Sequence, residues 1–247
     1  MVVGGLICVS IDLLIVINKQ KSVFVIFVGV FCPRDPVRRR RKDDGYNVAM
    51  TGATAEALPL QFVELEKRIE EDEAEVVTAA GGGGGGGGRV LLTLLIGAND
   101  LCMWDCRRPS SQLSSFQEHL NDFLARVYEY FDDRVDVLIG EIPALEGVPE
   151  RAKGTVMEPF AVLECPCAYY KPLKPEDYLF ANRIAAYNKI IDDLKFLYPS
   201  IIITSVLREE ELKDWPWEMT SKLDAFHPSK WAQEYFAKKI YEELRNK

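Results

Sequence analysis

The chain has 247 residues, 48% hydrophobic and 28% charged, a balance that suits one soluble domain with a full core. It excludes a disordered chain and a multi-span membrane protein. Thirty basic against 38 acidic residues leave a formal charge of −8, which argues against nucleic acid as a partner. Six cysteines are too sparse for a disulfide scaffold, though enough for a few bridges in an exported chain.

The chain opens with two apolar runs, Val2 to Ile17 (interrupted by Asp12) and Val23 to Cys32. Neither reaches the roughly 20 residues that span a bilayer. No basic residue precedes the first run and no clear small-residue cleavage site follows it, so it makes a poor signal peptide. Two buried strands, or one strand and a short helix, compete with an anchor. Arg38-Arg39-Arg40-Arg41-Lys42 comes next and is read as a solvated loop, because Asp43 and Asp44 follow at once.

Leu58 to Glu75 reads as a Glu-rich helix with Phe62, Leu65 and Ile69 on its apolar face. The glycine run at 81–88 has no side chains to pack and costs much entropy to order, so it is expected to be a surface linker. Arg89-Val90 follows it where a phosphate-binding loop would need Lys and then Ser or Thr, so it is no such loop. Val90 to Ile96 is a continuous apolar strand. Ser115 to Phe131 is an amphipathic helix with Phe116, Leu120, Phe123, Leu124, Val127 and Phe131 on one face, capped by Ser114 or Ser115. Val135 to Ile139 reads as a strand, Tyr178 to Leu197 as a helix, Ile201 to Val206 as a strand and Ser229 to Leu244 as a closing helix. Apolar strands alternating with helices predict an α/β fold with a mainly parallel sheet covered on both faces. In such sheets functional groups gather beyond the carboxyl ends of the strands.

Three features fall at such places. The strand Val90–Ile96 runs into Gly97-Ala98-Asn99-Asp100, where Asn99 can project amide donors able to hold a developing oxyanion. Asp224 stands three residues before His227, ahead of the last helix, a spacing that lets a carboxylate fix the imidazole tautomer and free the other nitrogen as a base. In Asn47 to Ala53, Gly52 can offer a backbone N–H at a strand-to-helix turn. Taken singly, each is also ordinary turn and cap chemistry. The second histidine, His119, lies within a helix and is read as a surface residue.

In this order and spacing the three blocks resemble those of the SGNH (GDSL-type) hydrolases, specifically the phospholipase B branch. Asn47 to Ala53 with Leu58-Pro59 is similar to the second block, Leu94 to Cys102 to the third and Asp224 to His227 to the fifth. Glu141-Ile142-Pro143-Ala144-Leu145-Glu146 and Cys165-Pro166-Cys167 resemble segments that set the phospholipase B branch apart. The resemblance implies a flavodoxin-like three-layer α/β/α fold whose first-strand region is aberrant. It divides the chain into an apolar and basic segment, 1–44, and a hydrolase-like domain, 45–247, carrying the glycine insert at 81–88. It also implies hydrolysis of a lipid ester or other small ester, with His227 as base, Asp224 orienting it, and Gly52 and Asn99 holding the oxyanion. No metal or cofactor is implied. A membrane surface is a candidate partner, and export or membrane association through the secretory pathway is the expected location. Trp104 and the Trp215-Pro216-Trp217 segment are candidates for an apolar mouth or a lipid contact. A sugar acetylesterase of the same fold is the alternative enzyme. By resemblance to exported phospholipase B proteins, Cys102 is expected to bridge to Cys106, with the partners of Cys165 and Cys167 unassigned.

The nucleophile block is where the chain departs from the family. No Gly-Asp-Ser occurs, and the only serines upstream of Asn47 are Ser10 and Ser22. Ser10, in Ile7-Cys8-Val9-Ser10-Ile11-Asp12, is the weak candidate: its aspartate follows it and apolar residues flank it. Two explanations compete, a mis-spliced or truncated start joined to a hydrolase body, or a homologue that has lost its nucleophile and binds a lipid or partner silently. Loss of a catalytic serine unit removes several powers of ten in rate.

Overall fold

The computed structural model describes residues 24–29, 53–80, 90–102, 106, 109–143, 145–156, 158–169, 180–204 and 229–245. Four parallel strands, β1 (Phe24–Gly29), β2 (Val90–Leu95), β3 (Val135–Gly140) and β4 (Ile201–Thr204), lie side by side in that order. Eight helices accompany them among the described residues: α1 (Leu58–Ala80), α2 (Ala98–Cys102), α3 (Pro109–Phe131), α4 (Val148–Ala152), α5 (Glu158–Glu164), α6 (Pro166–Tyr169), α7 (Phe180–Leu197) and α8 (Lys230–Arg245). The second apolar run of the N-terminus thus supplies a sheet strand, pairing in register with β2 from Phe24 opposite Val90 to Gly29 opposite Leu95. Its β-branched and aromatic residues favour the extended state.

Both faces of the sheet are covered. Leu92, Leu94, Val137 and Ile139 join one apolar cluster with Leu58, Phe62 and Leu65 of α1, the α3 stripe, and Ile184, Tyr187 and Ile191 of α7. The alternate residues Leu91, Thr93 and Leu138 point the other way and are buried too. The α3 stripe is buried along its whole expected length, Phe116 to Phe131. Its rings lock the neighbouring helices: Phe123 meets Phe62 edge-on at 6.0 Å, and Phe116 lies 4.6 Å from Tyr187. Tyr128 stacks on Tyr198 at 4.9 Å, and its hydroxyl shares a 2.6 Å hydrogen bond with the Ser200 hydroxyl.

Some helix boundaries differ from the sequence pattern. Helix α3 begins at Pro109, so Ser114 and Ser115 lie inside it rather than at its start. A proline suits a first helical position, where its missing N–H leaves no bond unmade. Helix α1 continues past Glu75 to Ala80. At α8 the expected start holds: the Ala232 N–H donates to the Ser229 hydroxyl at 3.3 Å, making Ser229 its cap.

Candidate active-site rim

Because the strands are parallel and in register, their carboxyl ends form one rim. Gly29 pairs with Leu95, Leu95 with Gly140 and Gly140 with Thr204, so one row of residues crosses the sheet where each strand stops. A side chain at Gly140 would displace the end of the Leu95 side chain. Beyond β2 the backbone turns at Gly97, whose φ of +103° is one that side-chain-bearing residues rarely adopt. A Cβ at Gly97 would also strike Ile142 and Phe116. The turn leads directly into α2, with Asn99 and Asp100 in its first turn.

Asn99 is half-buried, and its Nδ2 donates to the Ala53 carbonyl at 3.0 Å. An amide has two such hydrogens, so one remains for a ligand. Asp100 is 8% exposed, and both its carboxylate oxygens accept the Ala55 N–H at 3.1 Å. Burial raises its pKa from 3.8 to about 6, against the Ala55 N–H and the charge of His119, which favour the ionised form; Glu56 adds to the rise. His119 is half-buried and within electrostatic reach of Asp100. Nothing in its helical spacing signalled this, because Asp100 belongs to a separate helix whose placement the fold decides. The pair Asn99–Asp100 thus stitches the end of β2 to the segment 53–55, which directly follows Gly52 in the chain.

The neighbouring strand end is fastened differently. The Glu141 N–H donates to the Thr204 carbonyl at 3.1 Å, extending the ladder past β3. Asn188 of α7 then clamps Ile142 from both sides, accepting its N–H at 2.8 Å and donating to its carbonyl at 3.0 Å. The family-implied Cys102–Cys106 bridge is not what forms. Cys102 pairs with Cys165 and Cys106 with Cys167, across Cα separations of 4.3 and 5.3 Å. Helix α2 packs against α6, which aligns the two cysteine pairs in the same order and leaves no cysteine free among the described residues. Also among the described residues, no cluster of ligating side chains could hold a metal ion, and no helix is long and apolar enough to cross a membrane.

Of the site residues expected from the sequence, Asn99 is the one among the described residues, and it stands in the first turn beyond β2. Ser10, Gly52, Asp224 and His227 lie outside the described residues, as do Trp104, Trp215, Trp217, the arginine run and the glycine insert. The family model for GDSL-like lipase/acylhydrolase matches residues 31–240. The chain belongs to the GDSL-like lipase/acylhydrolase family. For this GDSL-type chain, no curated protein gives a significant sequence match. Its fold is similar to that of a catalytic mutant of an acetylxylan esterase from Geobacillus stearothermophilus, at a TM-score of 0.51 and 14% identity, over 92% of this chain and 95% of that one. The likeness shows a shared α/β fold, and the family model shows the GDSL-like membership. The matched range includes the glycine run at 81–88.

Proposed function

We propose that this member of an ester-hydrolase family is built for lipid esters, in the manner of the phospholipase B branch, and that its turnover is impaired because the Gly-Asp-Ser block is missing. In this reading Asp224 orients His227. His227 takes the proton of the attacking hydroxyl and returns it to the leaving alcohol. The Gly52 N–H and the free Asn99 amide hydrogen hold the oxyanion. The observation that carries it is Asn99, set at the rim by the positive-φ turn at Gly97 and tied to the residue after Gly52. The bond from Asn99 to Ala53 supports this reading, since Ala53 is the residue that follows Gly52 in the chain. Two disulfides support an oxidising compartment, hence export or membrane association. For the nucleophile, Ser10 and Ser22 both precede β1 in the chain, whereas the block should end the first strand, and Val30-Phe31-Cys32 follows β1 with no hydroxyl.

The test is fluorophosphonate labelling alongside fatty-acid release from a lysophospholipid. The expected result is no labelled serine and only feeble release, lost in His227→Ala. Vigorous release with a labelled serine would overturn the impairment. Acetate released from an acetylated sugar, with no fatty acid from lipid, would favour the acetylesterase alternative, which the acetylxylan esterase neighbour brings to mind through its fold.

A further inference from the structure

Asp100 stands next to Asn99 in α2 but has no part in the hydrolytic steps above. A buried carboxylate is costly unless a partner of fixed position replaces its lost water. The partner here is the Ala55 N–H, which both carboxylate oxygens accept at 3.1 Å. Asn99 reaches the same segment, donating to the Ala53 carbonyl at 3.0 Å. The two attachments run in opposite senses: α2 gives a hydrogen to residue 53 and takes one from residue 55. Segment 53–55 and the first turn of α2 therefore hold each other in register. Backbone bonds stiffen each side, from the Leu101 N–H to the Gly97 carbonyl at 3.0 Å and from the Ala57 N–H to the Thr54 carbonyl at 2.9 Å.

Charged groups reach this carboxylate from two elements. His119 of α3 favours the ionised form, and Glu56, next to Ala55 in the chain, opposes it. Helix α6, in the insert between β3 and α7, also packs on α2 but brings only Tyr169, a phenol that burial keeps neutral by raising its pKa. Burial outweighs these influences, so the carboxyl titrates at about 6. Its ionisation has two consequences of opposite sign. For the whole fold it is unfavourable, because the charge has been taken out of water. For the bond to Ala55 it is favourable, because a charged acceptor holds an N–H more strongly than a neutral one. Protonation also turns one of the two oxygens into a donor, which has nothing to offer the Ala55 N–H.

We propose that Asp100 is a positioning residue and a pH-sensitive latch, whose ionised form locks segment 53–55 and the Asn99 amide into the geometry that holds the oxyanion. This rests on the oxyanion reading of Asn99 and adds regulation to it. The latch slackens on acidification and tightens as the solution leaves the mildly acid range. The core beneath is apolar, so the slackening stays local.

Amide resonances of the full chain, followed from about pH 4 to about pH 8 with no substrate present, test it. The Ala55 amide and the Asn99 side-chain amide are expected to shift together, with one midpoint at about 6. Protection of the Ala55 amide from exchange should rise about fivefold to tenfold through that midpoint. Urea melts should meanwhile show the contribution of Asp100 to global stability falling. Asp100→Asn should abolish the shared titration. Glu56→Gln removes a negative charge and should lower the midpoint, whereas His119→Gln removes a positive one and should raise it. Glu56 is exposed, so its variant remains informative if Asp100→Asn fails to fold. Separate midpoints for the two amides, or a titration that survives Asp100→Asn, would overturn the latch. Ala55 protection that falls with rising pH, in step with global stability, would overturn it too and leave Asp100 a purely structural role. No readout depends on turnover, so an inert chain can still show the latch, and a failed latch leaves the ester-hydrolase reading to its own test.

Discussion

The two sides of α2 are held by opposite means. Its first turn, Asn99 and Asp100, is fastened to residues 53–55 by neutral and charge-assisted hydrogen bonds. Its last residue, Cys102, is fastened to the α4–α6 insert by a covalent bond, with Cys106–Cys167 beside it. A five-residue helix cannot hold itself in water, since nucleation alone costs more than one turn returns. Its position is therefore decided by these two attachments. The polar attachment responds to pH and the covalent one to redox state, so the rim can be loosened from either side independently.

Breaking the covalent side should have the largest effect. The bridges close loops with sequence separations of 63 and 61 residues, and loops of that size are worth about 4 kcal/mol in the chain-entropy account. Because the two loops nearly coincide, replacing all four cysteines by alanine is expected to cost about 4 kcal/mol rather than twice that, read from guanidinium denaturation. A full doubling would show that the bridges constrain different parts of the chain.

Breaking the polar side at Asn99 should act on chemistry. Asn99→Ala is expected to lower any measurable ester turnover by about 10²–10³, the usual loss for one oxyanion donor. The accompanying loss of stability is about 1 kcal/mol from the Ala53 bond. Turnover unchanged in this variant would remove Asn99 from the oxyanion hole.

Asp100 sharpens the comparison through pH. Its folded pKa, about 6, lies above the ordinary 3.8, so the native state holds the proton more tightly than the unfolded chain does. Its contribution is fully favourable below about pH 3.8 and is lost as pH rises through about 6, by no more than about 3 kcal/mol. Asp100→Asn keeps an acceptor for the Ala55 N–H and cannot ionise. Urea melts between pH 4 and 7 should therefore show a flatter profile for the variant, and an unchanged slope would assign the pH dependence elsewhere.

The smallest change is expected at the clamp beyond β3. Asn188→Ala removes both bonds to the Ile142 backbone and should cost about 2 kcal/mol, seen as a lower thermal midpoint. Faster amide exchange at Ile142 with unaltered exchange at Ala55 would confirm that the two strand ends are secured separately.

Much of this architecture was legible from local pattern. The α3 stripe, the apolar β2 and β3, and the turn that carries Asn99 all follow from side-chain period and from glycine's freedom at one position. Other parts were not. The run Val23 to Cys32 reads equally as a buried strand or part of an anchor, because apolar length alone says only that a segment leaves water. Residues 24–29 become a strand through pairing with β2, a partner far along the chain.

By itself, then, the sequence determined the alternation of strands and helices, the place of Asn99 and the absence of a Gly-Asp-Ser block, since each depends on neighbouring residues or on composition. Only the tertiary structure decided the cysteine pairing and the burial of Asp100 against Ala55. These depend on which groups distant segments bring within a few ångströms, and on how much water the packing leaves between them.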